Sequence, residues 1–357
     1  MGTRASPSAR LPARKSSSVV LDPENVFDSC IRPPTAILMG TLRGLVRGPV
    51  AGRGRSSPPR LTTRPAGLSC RRGPDPSRGE WPTMPIASVN GTELFFEDEG
   101  RGTPLVFVPG LGGSHAMFAP QAEAFRGSHR VIRLDLRGNG RSGRLDGPIG
   151  TVIDRQCDDL AALFDRLGLD RVVLIGVSYG GAVVLRFARR HPDRLWGLVL
   201  VDTFAELRWT RPMEALIRVS SVLMLPGFFL PRPVLRASLR LFYHRWPAAM
   251  AAIPDLIDGF RPREAALQSE AMCLVDEAKH AGEIGCPSLG IVGEYSKTAV
   301  RLMERATLGI PGARLEVVPD AFDPTNLCQP EAFARRLAEF LSRLGCPGGQ
   351  KMNDHDH

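Results

Sequence analysis

A chain of 357 residues has room for one large domain or two ordinary ones, and its net charge of +9 invites a nucleic-acid reading. The charge is unevenly placed: residues 1–83 carry 14 Lys and Arg against 5 Asp and Glu, while the remainder balances 32 against 32. That balance excludes an electrostatic case for nucleic-acid binding by the part able to fold.

The first 83 residues also hold 12 of the 31 prolines, with Ser, Arg and Gly in most of the gaps. Such a stretch cannot bury enough apolar surface to offset its ordering entropy, so it is expected to be a disordered tail. Met84, directly before the first strand-like run, is a competing start that would make the tail spurious. A targeting role is the other option. Arg and Ser content suits an organelle transit peptide, Asp22, Glu24 and Asp28 count against one, and no apolar core follows Arg4, Arg10, Arg14 and Lys15 as a signal peptide requires. Ala36–Met39 is too short to span a bilayer, and no transmembrane segment is expected. Seven cysteines without a CxxC spacing read as reduced thiols in a cytoplasmic protein. Neither a metal nor a cofactor is implied, and 346–357, ending in His355-Asp356-His357, reads as a frayed terminus.

From residue 86 the pattern is that of a folded domain, expected over 84–345. Ile86–Val89 and Glu93–Glu97 flank Asn90-Gly91, a pair suited to a two-residue hairpin turn. The apolar run 105–108 predicts a buried strand that ends in Pro109-Gly110-Leu111-Gly112-Gly113. A helix over 116–126, a strand over 131–136 and a helix over 154–167 follow. The run 172–177 predicts a strand that delivers Ser178 into Gly176-x-Ser178-x-Gly180, with a helix over 179–190 beyond it. Strands at 195–201, 289–292 and 315–319 and a closing helix over 330–344 complete the series. Short apolar strands alternating with helices predict a mostly parallel sheet covered on both faces. Between 204 and 283 lies a helical insertion rich in Leu, Met, Phe and Arg, read as a lid. Its apolar string 222–230 either lines a pocket or packs the lid onto the body. A membrane-surface role ranks below both, because no helix joins a clean basic face to that run.

Four segments in order, Pro109–Gly113, Asp135–Ser142, the Ser178 elbow and Gln329-Pro330-Glu331-Ala332-Phe333, resemble the α/β-hydrolase fold in its lidded branch of esterases, lactonases and carbon–carbon-bond hydrolases. The resemblance implies that Ser178 attacks a carbonyl, with the oxyanion held by the backbone N–H groups of Leu111 and Tyr179. It implies a small-molecule, apolar acyl substrate lying near Gly110, Gly112, His115 and Phe322. Asp135 and Arg137 are expected to brace the loop beside the elbow.

The partners of the serine depart from that family. Where relatives read Gly-x-x-Asp, this chain reads Gly293-Glu294-Tyr295-Ser296, so Ser296 stands at the acid position. Counting back from Gln329 puts Phe322 at a glycine and Asp323 at the histidine. Asp202 sits where some relatives place the acid, while Glu294 and Asp320 read as solvated charges. Three readings follow: an acyl hydrolase with a degenerate triad in which Asp323 substitutes as base, a non-catalytic small-molecule binder, and a lyase or cyclase using Asp323 as acid and base.

Overall fold

The computed structural model describes residues 86–345, apart from Trp209 and the side chains of Val222 and Met224. The expected tail over 1–83 and terminus over 346–357 lie outside the described residues. β1 (Ile86–Val89) and β2 (Thr92–Glu99) form the hairpin read from the sequence, with Asn90 and Gly91 at φ 45° and 72°, as its tight turn requires. β3 (Pro104–Val108) leads through a 3₁₀ turn at His115–Phe118 into α1 (Ala119–Phe125), so the first helix starts tighter than expected. β4 (Arg130–Leu134) stops two residues early, freeing Asp135 and Leu136 for the loop. Then come α2 (Val152–Arg166), β5 (Val172–Val177), α3 (Tyr179–Arg190) and β6 (Leu195–Val201).

The insertion is helical as read: α4 (Pro212–Met224), α5 (Arg232–Tyr243), α6 (Pro247–Gly259) and α7 (Pro262–Cys273). Prolines open these helices, where the missing N–H costs nothing and the fixed φ suits the first turn. β7 (Ser288–Gly293), α8 (Lys297–Leu308), β8 (Arg314–Val318), the single turn α9 (Thr325–Cys328) and α10 (Pro330–Arg343) close the domain. α8 was not among the expected helices.

The eight strands form one sheet in the order β1-β2-β4-β3-β5-β6-β7-β8, antiparallel only at the β1/β2 and β2/β4 pairs. After β3 the chain crosses to one side to form β4, then returns to the other side to form β5. The order therefore reverses at β3, and the loops after β3 and β5 part there, leaving the crevice where open α/β sheets bind ligands. The core divides by strand alternation. Val106, Val108, Leu174 and Leu200 meet α2 and α3 on one face. Leu105, Phe107, Ile175, Val177 and Val201 meet Phe118, Phe125, Phe333 and Leu337 on the other. All six residues of β5 are buried, so the strand that presents Ser178 has little freedom to move.

Candidate active site

β5 turns into α3 within one residue. Ser178 takes φ 51° and ψ −115°, a strained combination for a side-chain-bearing residue, and its half-buried hydroxyl stands at the apex. The turn is fixed from both sides: Ser178 N–H donates to Val201 O at 2.7 Å, and Gly181 N–H donates to Ser178 O at 2.9 Å. A Cβ on Gly180 would collide with the carbonyl oxygens of Val108 and Pro109, and one on Gly176 with that of Gly180. Backbone cannot give way as a side chain can, so the two glycines of the motif are dictated by close approach.

The glycine loop after β3 lies against this elbow, with Gly110 so near that a Cβ there would sit 3.4 Å from Ser178 Cβ. Asn139 Nδ2 donates to Gly113 O at 2.7 Å. Gln268, on α7 of the lid, donates to Asn139 Oδ1 at 2.6 Å and accepts from Gly112 N–H at 3.2 Å. Both side chains are buried, so the loop carrying Leu111 is held by a closed polar network. Gly112 is at φ 60° and faces the Phe260 ring at the end of α6. Tyr179 is the first residue of α3, so its N–H has no acceptor within the helix. Its phenol is spent elsewhere, donating to Gln156 Oε1 at 2.7 Å.

Near the serine lie two buried carboxyls, Asp323 and Asp202. The Asp323 carboxyl lies close enough to the Ser178 hydroxyl to feel it electrostatically. Burial, and then the negative charge of Asp202, hold the Asp323 carboxyl well above the usual carboxylate range, against the Ser178 hydroxyl, which lowers it. Asp202, at φ 46° past the end of β6, accepts from Gly293 N–H at 3.1 Å, Thr325 N–H at 2.6 Å and Thr325 Oγ1 at 2.8 Å. Burial pushes its carboxyl up to about 6 despite those three donors. Two like charges this close ionise in turn, and the pair titrates as a unit.

The loop that presents Asp323 is gripped from the lid. Tyr243 Oη donates to Asp323 O at 2.7 Å, and Trp246 Nε1 donates to Asp320 O at 2.8 Å. Arg245 pairs with the Asp320 carboxylate at 2.9 Å, so Asp320 is a clamp point as well as a surface charge. Phe322 occupies the supposed glycine corner without a left-handed backbone, since Asp320 takes the positive φ of 49°. The Phe322 ring packs at 5.1 Å from Phe242 and 6.4 Å from Tyr295.

Other expected positions lie apart from the serine. Ser296 is the N-cap of α8, its Oγ accepting from Ala299 N–H at 3.2 Å, and Asp202 is the carboxylate that reaches Gly293. Glu294 is exposed. His115 Nδ1 lies 2.9 Å from Asp135 and its ring packs against Phe95 at a tilt of 52°, lining a separate cavity of about 510 Å³ with Glu97, Arg141 and Asp258. His244 is exposed and bonds to Leu241 O. His191 caps the far end of α3, roughly 18 Å from the elbow at 1.5 Å per residue. Asp135 and Arg137 brace as expected: Asp135 accepts from Arg141 N–H at 2.8 Å, and Arg137 makes a bidentate pair with Asp159.

Asn139, Gln268, Tyr243, Trp246 and Thr325 were not singled out from sequence. Asn139 lay within a quoted motif, whereas nothing in the lid sequence marks Gln268 or Tyr243.

The sequence profile of the α/β hydrolase fold matches residues 103–228. A putative carbamate hydrolase RutD of Caulobacter sp. strain K31 is 30% identical over 247 residues, 67% of this chain and 90% of that protein. The enol-lactonase from Burkholderia xenovorans LB400 is 28% identical, covers 72% of this chain and 100% of its own, and superposes with a TM-score of 0.63. An esterase from Thermogutta terrifontis is 29% identical, covers 73% of this chain and 97% of its own, and superposes with a TM-score of 0.61.

Proposed function

This chain belongs to the α/β-hydrolase fold family, and on that basis we propose that it cleaves an ester or lactone with Ser178 as nucleophile and Asp323 as the base. The observation that carries this reading is the buried Asp323 carboxyl, its proton affinity raised, interacting with the Ser178 hydroxyl. An ordinary Asp is about 2.6 pH units less basic than His and is a poor proton acceptor for a serine. Burial and the Asp202 charge narrow that gap, so the pair does part of an imidazole's work.

In this reading Ser178 Oγ attacks the carbonyl carbon as its proton passes to Asp323. The oxyanion settles between the N–H groups of Leu111 and Tyr179, at the N-terminus of α3. Collapse expels the alcohol, which takes the proton back from Asp323. Water then repeats the sequence on the acyl-enzyme. Asp202 is not a relay to a histidine here; it is the neighbouring charge that sets the basicity of Asp323. Phe260 beside Gly112 and Phe322 beside Asp323 favour an apolar acyl group, in keeping with the lactonase and esterase relatives. Loss of a serine triad's base costs about 10⁶ in turnover, leaving 10³–10⁴ over water from the oxyanion hole and binding. Turnover is therefore expected between that floor and the rate of an intact triad.

A binder that turns nothing over is the competing reading, favoured by the same raised proton affinity: while Asp323 stays protonated, Ser178 has no base. Hydrolysis of p-nitrophenyl esters separates the two. The hydrolase reading expects slow, saturable turnover that Ser178→Ala removes and that Asp323→His raises at least ten-fold, because Asp202 then orients an imidazole. Turnover unchanged by Ser178→Ala contradicts it.

A further inference from the structure

A helix in a folded protein owes most of its stability to burying one apolar face. Two consecutive helices of the insertion do so only in part. On α4 the one buried residue among those described is Glu214, which pairs with Arg305. On α5 no residue is buried. Leu235, Leu239 and Tyr243 on α5 are half-buried, while other apolar side chains on both helices point outward. Met213, Leu216, Val219 and Leu223 form a stripe at helical spacing along α4, with Leu216 57% and Leu223 73% exposed. The run continues through Phe229 and Leu230 to Val234 and Leu241 on α5, the last 78% exposed. Pro212–Phe229 has a mean hydropathy of 1.2, and only 12% of it is buried. Isolated apolar residues on a surface need no explanation, but a stripe along two successive helices does.

Charge says what would cover it. Residues 215–254 contain no Asp or Glu, yet hold Arg218, Arg232, Arg236, Arg240 and Arg245. Arg232, Arg236 and Arg240 fall on one face of α5 at i, i+4 and i+8. Arg236 meets Asp258 only at 3.7 Å, and Arg240 has no ion pair among the described residues. The basic face missing from the sequence reading is thus supplied by the helix after the apolar run. An exposed apolar stripe on a segment without acidic residues, with Leu241 sharing a surface hollow with Arg232, Arg236 and Arg240, matches a negatively charged lipid surface. A second protein copy bearing the same arginines matches it poorly. α4 is about 20 Å long against a hydrocarbon core of about 30 Å, and Pro226-Gly227 follows it, so the segment suits lying on a bilayer rather than crossing one.

We propose that α4 and α5 of the lid form a docking surface for anionic phospholipid, the α4 stripe entering the headgroup region while Arg232, Arg236 and Arg240 meet the lipid phosphates. The inference does not depend on whether Ser178 is catalytically active. Co-sedimentation of the full chain with phosphatidylcholine vesicles, with and without about 30% phosphatidylglycerol, tests it. Binding is expected only with phosphatidylglycerol, and weaker at about 0.5 M salt. Leu216→Glu with Leu223→Glu, both on exposed sites and checked for native circular dichroism, should reduce binding at least ten-fold. Arg232→Ala with Arg240→Ala should each cost roughly five-fold. The basic residues of 1–83 are present in every variant, so the differences report the lid alone. Equal binding by the leucine variant and the parent, or equal binding to neutral vesicles, overturns the proposal. So does a dimer without lipid that the leucine variant dissolves, which would make the stripe a subunit interface.

Discussion

β5 buries every residue it has, whereas α4 and α5 bury no apolar side chain among those described, and the candidate site is assembled from both kinds of element. The sheet supplies what must not move: Ser178 on its strained turn and the glycine loop beside it. The lid supplies the clamps, with Gln268 holding the loop of Leu111 and Tyr243 and Trp246 holding the loop of Asp323. Regions that bury little open locally at small cost, while core strands open only with the whole domain.

The comparison breaks most sharply in the body. Gly180→Val should destabilise the domain by about 4 kcal/mol or prevent folding, because the new side chain meets backbone carbonyls of two adjoining residues. Thermal unfolding of the variant reads this directly, and an unchanged Tm would contradict the close approach at the elbow. At the lid the effects are smaller and fall on function. Gln268→Leu leaves Gly112 N–H and Asn139 Oδ1 without partners, at a cost of about 1–3 kcal/mol. It is expected to lower kcat more than it raises KM, with Tm changed by only a few degrees. Tyr243→Phe removes a single hydrogen bond to Asp323 O and should cost about 1 kcal/mol, seen as a several-fold loss of kcat/KM. If both lid variants lowered Tm as far as the elbow variant, lid and body would be one cooperative unit and the contrast would fail.

Much of the body was legible because its signals are local. Fully apolar runs mark β3, β5 and β6, Asn90-Gly91 marks the hairpin turn, and glycines mark the two loops that approach Ser178. Asp323 was found by counting back from the start of α10. The acid was less legible. Spacing points to Ser296, yet a serine before a helical run is also an N-cap, and α8 uses it so. Asp202 was legible only as a residue standing where some relatives place the acid. Its role depends on Thr325, 123 residues away, and on a like charge across the fold that no local pattern records. The lid clamps were illegible for the same reason: Gln268 and Tyr243 look like any polar residue on an amphipathic helix until the body is placed against them.

The carboxyl pair also marks stability. Asp202 has its folded-state affinity for a proton raised from 3.8 to about 6, and Asp323 is raised as well, so the folded chain binds more protons than the unfolded one over that range. The contribution is therefore complete below about pH 3.8, and the Asp202 share of it is lost as the pH rises through about 6. Asp323→Asn should raise Tm at about pH 8 and leave it nearly unchanged at about pH 4.

The account rests on Asp323 being the group that takes the Ser178 proton. The rate of Ser178 labelling by a fluorophosphonate, followed by mass spectrometry against pH, tests it most directly. Labelling should rise with pH through an ionisation above the ordinary carboxylate range. That rise should move to lower pH in Asp202→Asn, where the neighbouring charge is gone, and disappear in Asp323→Asn. A pH profile identical in all three proteins would show that the hydroxyl is activated by something else, or not at all.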